Sequence, residues 1–137
     1  AGTGGLAIAN NIDLNATGST GTTTIGAVST LTSGTVTFSG NVTMQSLNAG
    51  TENLIVDITS SSITGTATGV TFSGIVADGP DSLQLRKIGA GVATLAGANT
   101  YDGGTQVNAG VLLVNNPTGS AGIRRSTRAR SSCLALA

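Results

Sequence analysis

Hydrophobic and polar positions alternate in short runs along the chain, and Gly, Ser, Thr and Asn punctuate the runs. The clear runs are Thr35–Phe38, Val42–Leu47, Leu54–Thr59, Ser82–Arg86, Val92–Ala96, Thr105–Asn108 and Val111–Asn115. A period of two places Val36 and Phe38 on one strand face, likewise Leu54, Val56 and Ile58, and likewise Leu83 and Leu85. No window sustains a 3.6-residue period with caps, and Gly or a β-branched residue interrupts each candidate helix. The pattern predicts an all-β chain with turns roughly every 8–12 residues.

That spacing suits a sandwich or a barrel, but two features favour a parallel β-solenoid. The first is internal repetition. VTFSG occurs at Val36–Gly40 and again at Val70–Gly74. Asn48-Ala49-Gly50 precedes Asn53–Asp57 much as Asn108-Ala109-Gly110 precedes Val111–Asn115, and Val28–Leu31 is echoed by Val92–Leu95. The three offsets differ from one another, so the units vary in length. The second is composition. Gly, Thr, Ser and Asn supply about half of the chain, and the aromatics are two Phe and one Tyr. A sandwich core of this size calls for more rings. A solenoid core is a narrow channel in which like aliphatic residues stack at ~4.8 Å, with Gly and Asn at sharp corners. The fold expected over residues 1–122 is a right-handed, single-stranded parallel β-helix of about six coils of about 20 residues, with an antiparallel β-sandwich as the alternative.

Charge and rare residues narrow the chemistry. With no His, no Ser-His-Asp triad, Cys-His dyad or His-based zinc site can be built. Residues 1–122 hold six acids against Arg86 and Lys87, a net of −4, so the body lacks a phosphate-binding footprint. Residues 123–137 hold four Arg and no acid, a net of +4. Cys133 is alone, which excludes an intrachain disulfide. No apolar run approaches the roughly 18–20 residues of a membrane helix. The chain opens at Ala1 rather than Met and reads as a piece of something longer.

The stretch Leu85–Asn115, LRKIGAGVATLAGANTYDGGTQVNAGVLLVN, resembles the autotransporter-associated β-strand repeat, also called the passenger-associated transport repeat. The positions that carry the resemblance are Leu85, Lys87, Gly89, Gly91, Thr94 and Leu95, then Gly97, Asn99, Thr100, Tyr101, Gly103, Gly104 and Thr105. Val107, Asn108, Gly110, Leu112 and Val114 complete it. Phe72–Leu85 looks like the lead-in of such repeats, and Ile88, Val92-Ala93 and Asp102 depart from the pattern. The resemblance implies a passenger segment of a type V secretion autotransporter, exported through the outer membrane by a C-terminal β-barrel. It implies a role in transport and folding of the passenger, with no catalysis.

Residues 123–137 break with that composition. They read most simply as a change of reading frame near Gly122, ahead of a genuine unstructured terminus and a basic nucleic-acid or lipid arm. No function is drawn from them.

Other candidate chemistry has a simpler explanation in each case. Asp78 and Asp81 flank Gly79-Pro80 and could act as paired acids on a sugar, but an Asx-type corner explains them. Gly89-x-Gly91 lacks the following helix of a dinucleotide loop, and Gly103-Gly104 lacks the acid of a calcium nonapeptide. Thr pairs at Thr22/Thr24, Thr35/Thr37 and Thr64/Thr66/Thr68 suggest an ordered ladder, but their uneven spacing favours plain β-propensity. Asn15-Ala16-Thr17 and Asn41-Val42-Thr43 fit a glycosylation sequon that this composition produces by chance. Arg86-Lys87 reads as a solvated strand end, and Tyr101 as a packing residue over the Gly103-Gly104 turn. The expectation is therefore a non-enzymatic surface stalk and export-promoting unit with no catalytic residue, metal or cofactor. Its partners would be neighbouring coils and an outer-membrane barrel of the parent chain, and a host or sister-cell surface if it is an adhesin. No nucleic acid or small-molecule substrate is expected. Its location would be the cell surface of a Gram-negative bacterium or the medium. A carbohydrate-active β-helix is the remaining alternative.

Overall fold

The computed structural model describes residues 5–16, 22–27, 34–46, 55–60, 69–79, 84–115 and 133–136. Among them are thirteen β-strands and no helix. The strands are β1 (Leu6–Ile8), β2 (Ile12–Ala16), β3 (Thr22–Ala27), β4 (Thr35–Phe38), β5 (Val42–Ser46), β6 (Ile55–Ser60) and β7 (Gly69–Phe72). They continue with β8 (Val76–Asp78), β9 (Gln84–Ile88), β10 (Val92–Leu95), β11 (Thr105–Val107), β12 (Val111–Val114) and β13 (Cys133–Leu136).

The strands form three sheets, β1-β4-β7-β10-β12-β13, β2-β5-β8 and β3-β6-β9-β11. The chain visits the three in turn: β1, β2 and β3 start one strand in each, and β4, β5 and β6 add the next. Every strand pairing among the described residues is parallel, so these strands do not form the antiparallel sandwich kept as an alternative. Parallel neighbours need a long crossover between them. Here the crossover is made by the strands of the other two sheets. Leu6 pairs with Val36, Val36 with Val70, Val70 with Ala93 and Val92 with Val111. The two later circuits are therefore shorter than the two earlier ones.

The VTFSG repetition has a direct structural cause. The step from Val36 to Val70 is one circuit, and Val36, Thr37 and Phe38 pair with Val70, Thr71 and Phe72. Identical residues then stack on themselves, and the rings of Phe38 and Phe72 lie 4.9 Å apart with planes 10° from parallel. Such a pair contributes about 0.5–1.5 kcal/mol beyond its buried area. The echo between the runs at Asn53–Asp57 and Val111–Asn115 has no such meaning, because β6 and β12 belong to different sheets. Asn48–Gly50 and Val28–Leu31 lie outside the described residues.

Alternation decides what is buried. Val36, Val70, Ala93 and Leu112 form one inward row of the six-stranded sheet, and Phe38, Phe72, Leu95 and Val114 form the other. Val42 and Val76 from the three-stranded sheet, Leu85 from the four-stranded sheet, and Tyr101 join the same core. The strands β1, β2, β3, β7, β8 and β13 are not among the clear runs of the sequence. β1 and β8 have three residues each and β3 is mostly Thr and Gly, so their inward residues are too few to set a local pattern, whereas β2 does alternate, with Ile12 and Leu14 packed against the core.

The turn leaving the six-stranded sheet is a column of glycines under steric constraint. A Cβ on Gly74 would lie 2.1 Å from the Gly40 carbonyl oxygen, and one on Gly97 would lie 2.1 Å from that of Gly74. Both obstacles are backbone atoms of the preceding circuit, which no side-chain rotation relieves. Gly74→Ala is expected to cost about 2–3 kcal/mol by forcing two circuits apart. Urea unfolding of the purified chain checks this. A midpoint equal to that of the parent chain would mean that the corner relaxes freely.

Candidate functional site

Of the residues singled out between Leu85 and Gly110, Lys87, Gly89, Gly91, Asn108 and Gly110 come together where β9 meets the corner at residues 108–110, and the others lie elsewhere in the circuit. Leu85 and Lys87 are two residues apart on β9 and both are fully buried. The solvated strand end expected for Arg86-Lys87 is therefore wrong for Lys87. The signal was present in the sequence, because the same period of two that turns Leu85 inward also turns Lys87 inward. In the register of the four-stranded sheet, Lys87 lies between Ile58 and Val107, in a row that is otherwise aliphatic.

A buried ammonium needs partners for its three donors. Lys87 Nζ donates to the carbonyl oxygens of Ile88, Gly89 at 2.8 Å and Ala109 at 3.4 Å. The Lys87 carbonyl in turn accepts from the N–H groups of Asn108 (2.9 Å) and Ala109 (3.4 Å). One residue thus holds both its own turn and the corner of the next circuit. Burial pushes the Lys87 amine down to about 8. Gly110, at φ +71°, closes this corner, and a Cβ there would lie 2.4 Å from the carbonyl oxygens of both Gly89 and Gly91. The Gly91 carbonyl accepts from the Val111 N–H, which starts β12.

On the opposite side the three-stranded sheet ends at β8, and residues 98–102 run where a fourth strand would lie. In the earlier circuits the N–H groups of Ile12 and Val42 donate to the backbone carbonyls of Asn41 and Ile75. The Val76 N–H instead donates to Asn99 Oδ1 at 2.9 Å, while the Thr100 N–H donates to the Val76 carbonyl at 3.0 Å. The buried side chain of Asn99 thus takes the place of a main-chain carbonyl and ends the sheet without an orphaned donor.

Tyr101 follows at once and is the largest fully buried side chain. Its hydroxyl lies 2.7 Å from Thr105 Oγ1. Burial pushes the phenol up to about 12, against the opposing hydrogen bond from Thr105. Tyr101 packs in the core, and its contact with Thr105 spans the Gly103-Gly104 turn. Leu95 lies in the inward row of β10, Gly97 at the constrained corner, and Thr100, Gly103 and Asn108 toward the surface. Gly89 and Gly104 have positive φ, as Gly110 does.

Asp78 lies beside Asp102, whose N–H donates to Asp78 Oδ2 at 2.9 Å. Burial, helped by the neighbouring Asp102 carboxyl, holds the Asp78 carboxyl above its usual range. Asp78 thus engages the next circuit, and Asp81 lies outside the described residues. Among the described residues, no three His, Cys, Asp or Glu are placed to hold a metal ion, and no helix is long and apolar enough to cross a membrane. Lys87 and Tyr101 are both fully buried and make their hydrogen bonds inward.

This knot of buried polar groups coincides with a known family pattern. Residues 85–114 match the model of the Passenger-associated-transport-repeat. The chain carries an autotransporter passenger repeat. In an alignment 116 positions long that covers 77% of the chain, the chain is 35% identical to the protein named Adhesin BmaC autotransporter of Brucella suis biovar 1 (strain 1330). The chain spans 3% of the length of that protein. No solved structure matches the chain. The passenger repeat and the relative together make this chain a segment of a cell-surface, outer-membrane-associated protein of a Gram-negative bacterium.

Within the passenger repeat, Lys87 and Gly110 tie its first strand to its last corner, and Asn99 and Tyr101 tie its middle to β8 and the core. Of the expected tail, Cys133–Leu136 forms β13 and pairs with β12, and residues 123–132 lie outside the described residues.

Proposed function

We propose that residues 1–122 are stacked circuits of a right-handed, single-stranded parallel β-helix in an autotransporter passenger. Residues 123–137 are assigned no role. The segment is non-catalytic, promotes translocation and folding of the passenger, and serves as a rigid stalk at the cell surface. The observation that supports this reading is the cyclic visit to three parallel sheets with register-matched inward rows. Each circuit presents unpaired backbone groups to the next and buries a fresh apolar row on arrival. Folding outside the membrane then makes backward passage unfavourable, without a nucleotide energy source. The motif residues act in this reading as structure: Lys87, Asn99, Tyr101 and Gly110 let the repeat close as one cooperative unit. Its partners are the neighbouring circuits and a C-terminal barrel of the parent chain.

The test is deletion of residues 85–114 in the full parent autotransporter. Protease-accessible passenger at the cell surface is expected to fall severalfold while the barrel remains inserted. Undiminished surface passenger would sink the export role. An adhesin surface is the second reading, favoured by the printed name of the relative. Binding of the displayed chain to host matrix or sister cells separates it from a passive stalk.

A further inference from the structure

Two Asp-Gly pairs occur in the chain, Asp78-Gly79 and Asp102-Gly103, 24 residues apart. An aspartyl side chain carries its carboxyl carbon within reach of the amide nitrogen of the next residue. A glycine there leaves the approach open, because it has no Cβ. Stacking of the circuits brings the two pairs together and makes them unequal. Asp78 ends β8 in register with Met44 of β5, and its Oδ2 accepts from the Asp102 N–H at 2.9 Å. Strand and hydrogen bond together fix its conformation. Asp102 is exposed, and both it and Gly103 lie outside the strands, between β10 and β11. The backbone freedom that brings amide to carboxyl carbon is therefore kept at Asp102 and denied to Asp78.

The carboxyl groups themselves meet. That of Asp102 hydrogen-bonds that of Asp78 and repels its charge. An ionised carboxylate only accepts, so this bond needs one proton held between the two. In the strand register the row of Asp78 continues with Met44 and Leu14, neither of which titrates. We propose that Asp102-Gly103 is a self-modifying site, where Asp78 of the preceding circuit assists closure of the backbone to a cyclic imide that reopens as isoaspartate. The Gly103 amide nitrogen attacks Asp102 Cγ and a C–N bond forms. The Asp78 carboxylate takes the amide proton and passes it to the departing hydroxyl, whose own proton is the one the pair shared. That hydroxyl leaves as water, and Asp78 is again a carboxylate. Water then adds to either imide carbonyl and breaks one C–N bond. Attack at the side-chain carbonyl restores Asp, and attack at the main-chain carbonyl gives isoaspartate. The latter adds one carbon to the main chain between Tyr101 and Gly103, beside the buried ring and its contact with Thr105.

The experiment incubates the full 137-residue chain, folded or in urea, in heavy-oxygen water. Each imide that opens takes up one heavy oxygen, whichever product forms. Peptide mapping with fragmentation reads label and isoaspartate at the two Asp-Gly pairs separately. In urea the pairs are expected to label at similar rates. In the folded chain Asp102 labels about tenfold faster than Asp78, through the better placement of its amide. Asp78→Ala slows labelling at Asp102 by at least about tenfold, the effect of losing a positioned acid–base group. Asp102→Glu, whose ring would be one atom larger, leaves that position unlabelled. If Asp78→Ala loses the β-sheet circular dichroism, Asp78→Ser takes its place. An unlabelled Asp102 in the folded chain overturns the proposal, as does equal labelling of the two pairs. Faster labelling at Asp102 in Asp78→Ala also overturns it, because Asp78 would then only restrain the segment.

Discussion

Tyr101→Ala is expected to destabilise the chain by about 3–5 kcal/mol, the cost of emptying a fully buried aromatic site. Tyr101 has no exposed surface and fills the core beside residues 98–102, where no fourth strand completes the three-stranded sheet. The segment is tied to β8 by separate bonds, Thr100 to Val76, Val76 to Asn99 and Asp102 to Asp78, and not by a strand ladder that could absorb the loss. Tyr101→Phe keeps the ring and removes only the contact to Thr105, for about 1–2 kcal/mol. Urea titration of both variants against the parent chain separates the two contributions. Equal midpoints for the Ala and Phe variants would show that the ring adds nothing and that the core does not reach this segment. In the parent autotransporter the same order of severity is expected for surface display, if closing the repeat is what holds emerged chain outside.

The second large effect is a stability maximum near pH 10, set by Lys87 and Tyr101 acting in opposite directions. The unfolded lysine keeps its proton up to its ordinary value of 10.5, while the folded amine releases it at about 8. Between those values the unfolded chain binds more protons, so stability rises with pH, by up to about 3 kcal/mol. Tyr101 has the reverse arrangement, an ordinary value of 10.0 and about 12 when folded. Above pH 10 the folded chain is therefore the one that holds the extra proton, and stability falls as pH rises toward 12. Denaturant midpoints from pH 7 to 11.5 trace both limbs. Lys87→Met should flatten the rising limb and leave the falling one, and Tyr101→Phe should do the opposite. A flat profile in the parent chain would mean that neither group is desolvated on folding.

These effects depend on residues of different legibility. Lys87 was readable in principle, because Leu85 and Lys87 share a strand face and Leu85 is plainly inward. Its reading as solvated came from the chemistry of lysine prevailing over the period of the strand. Asn99 gave no such signal. Its side chain substitutes for a main-chain carbonyl only because the three-stranded sheet stops at β8, and strand termination between circuits is not a local property. Asp78 was visible as an acid, but its contact with Asp102 one circuit on was not, because the two are brought together only when the circuits stack. A threonine row was sought in the sequence and missed, since it takes one long circuit and one shorter one to bring Thr37, Thr71 and Thr94 into line.

By itself the sequence determined the all-β character, the aliphatic core and the repeat at Leu85–Asn115, because each of these is written in contacts between residues close along the chain. Alternation along a strand, Gly at forced corners and the NTY-x-GGT spacing all act within a few positions. The repetition of VTFSG also showed one circuit, since there the stacked residues happen to be identical. Tertiary structure alone decided which circuits align with which. Parallel register is set by rows of side chains and backbone bonds between residues a whole circuit apart, and loops of unequal length hide that distance. It decided as well that a lysine lies inside with three carbonyls around it and that a row of threonines lies outside. Both results follow from the direction of a side chain across a sheet, which is fixed only when the neighbouring circuits are in place.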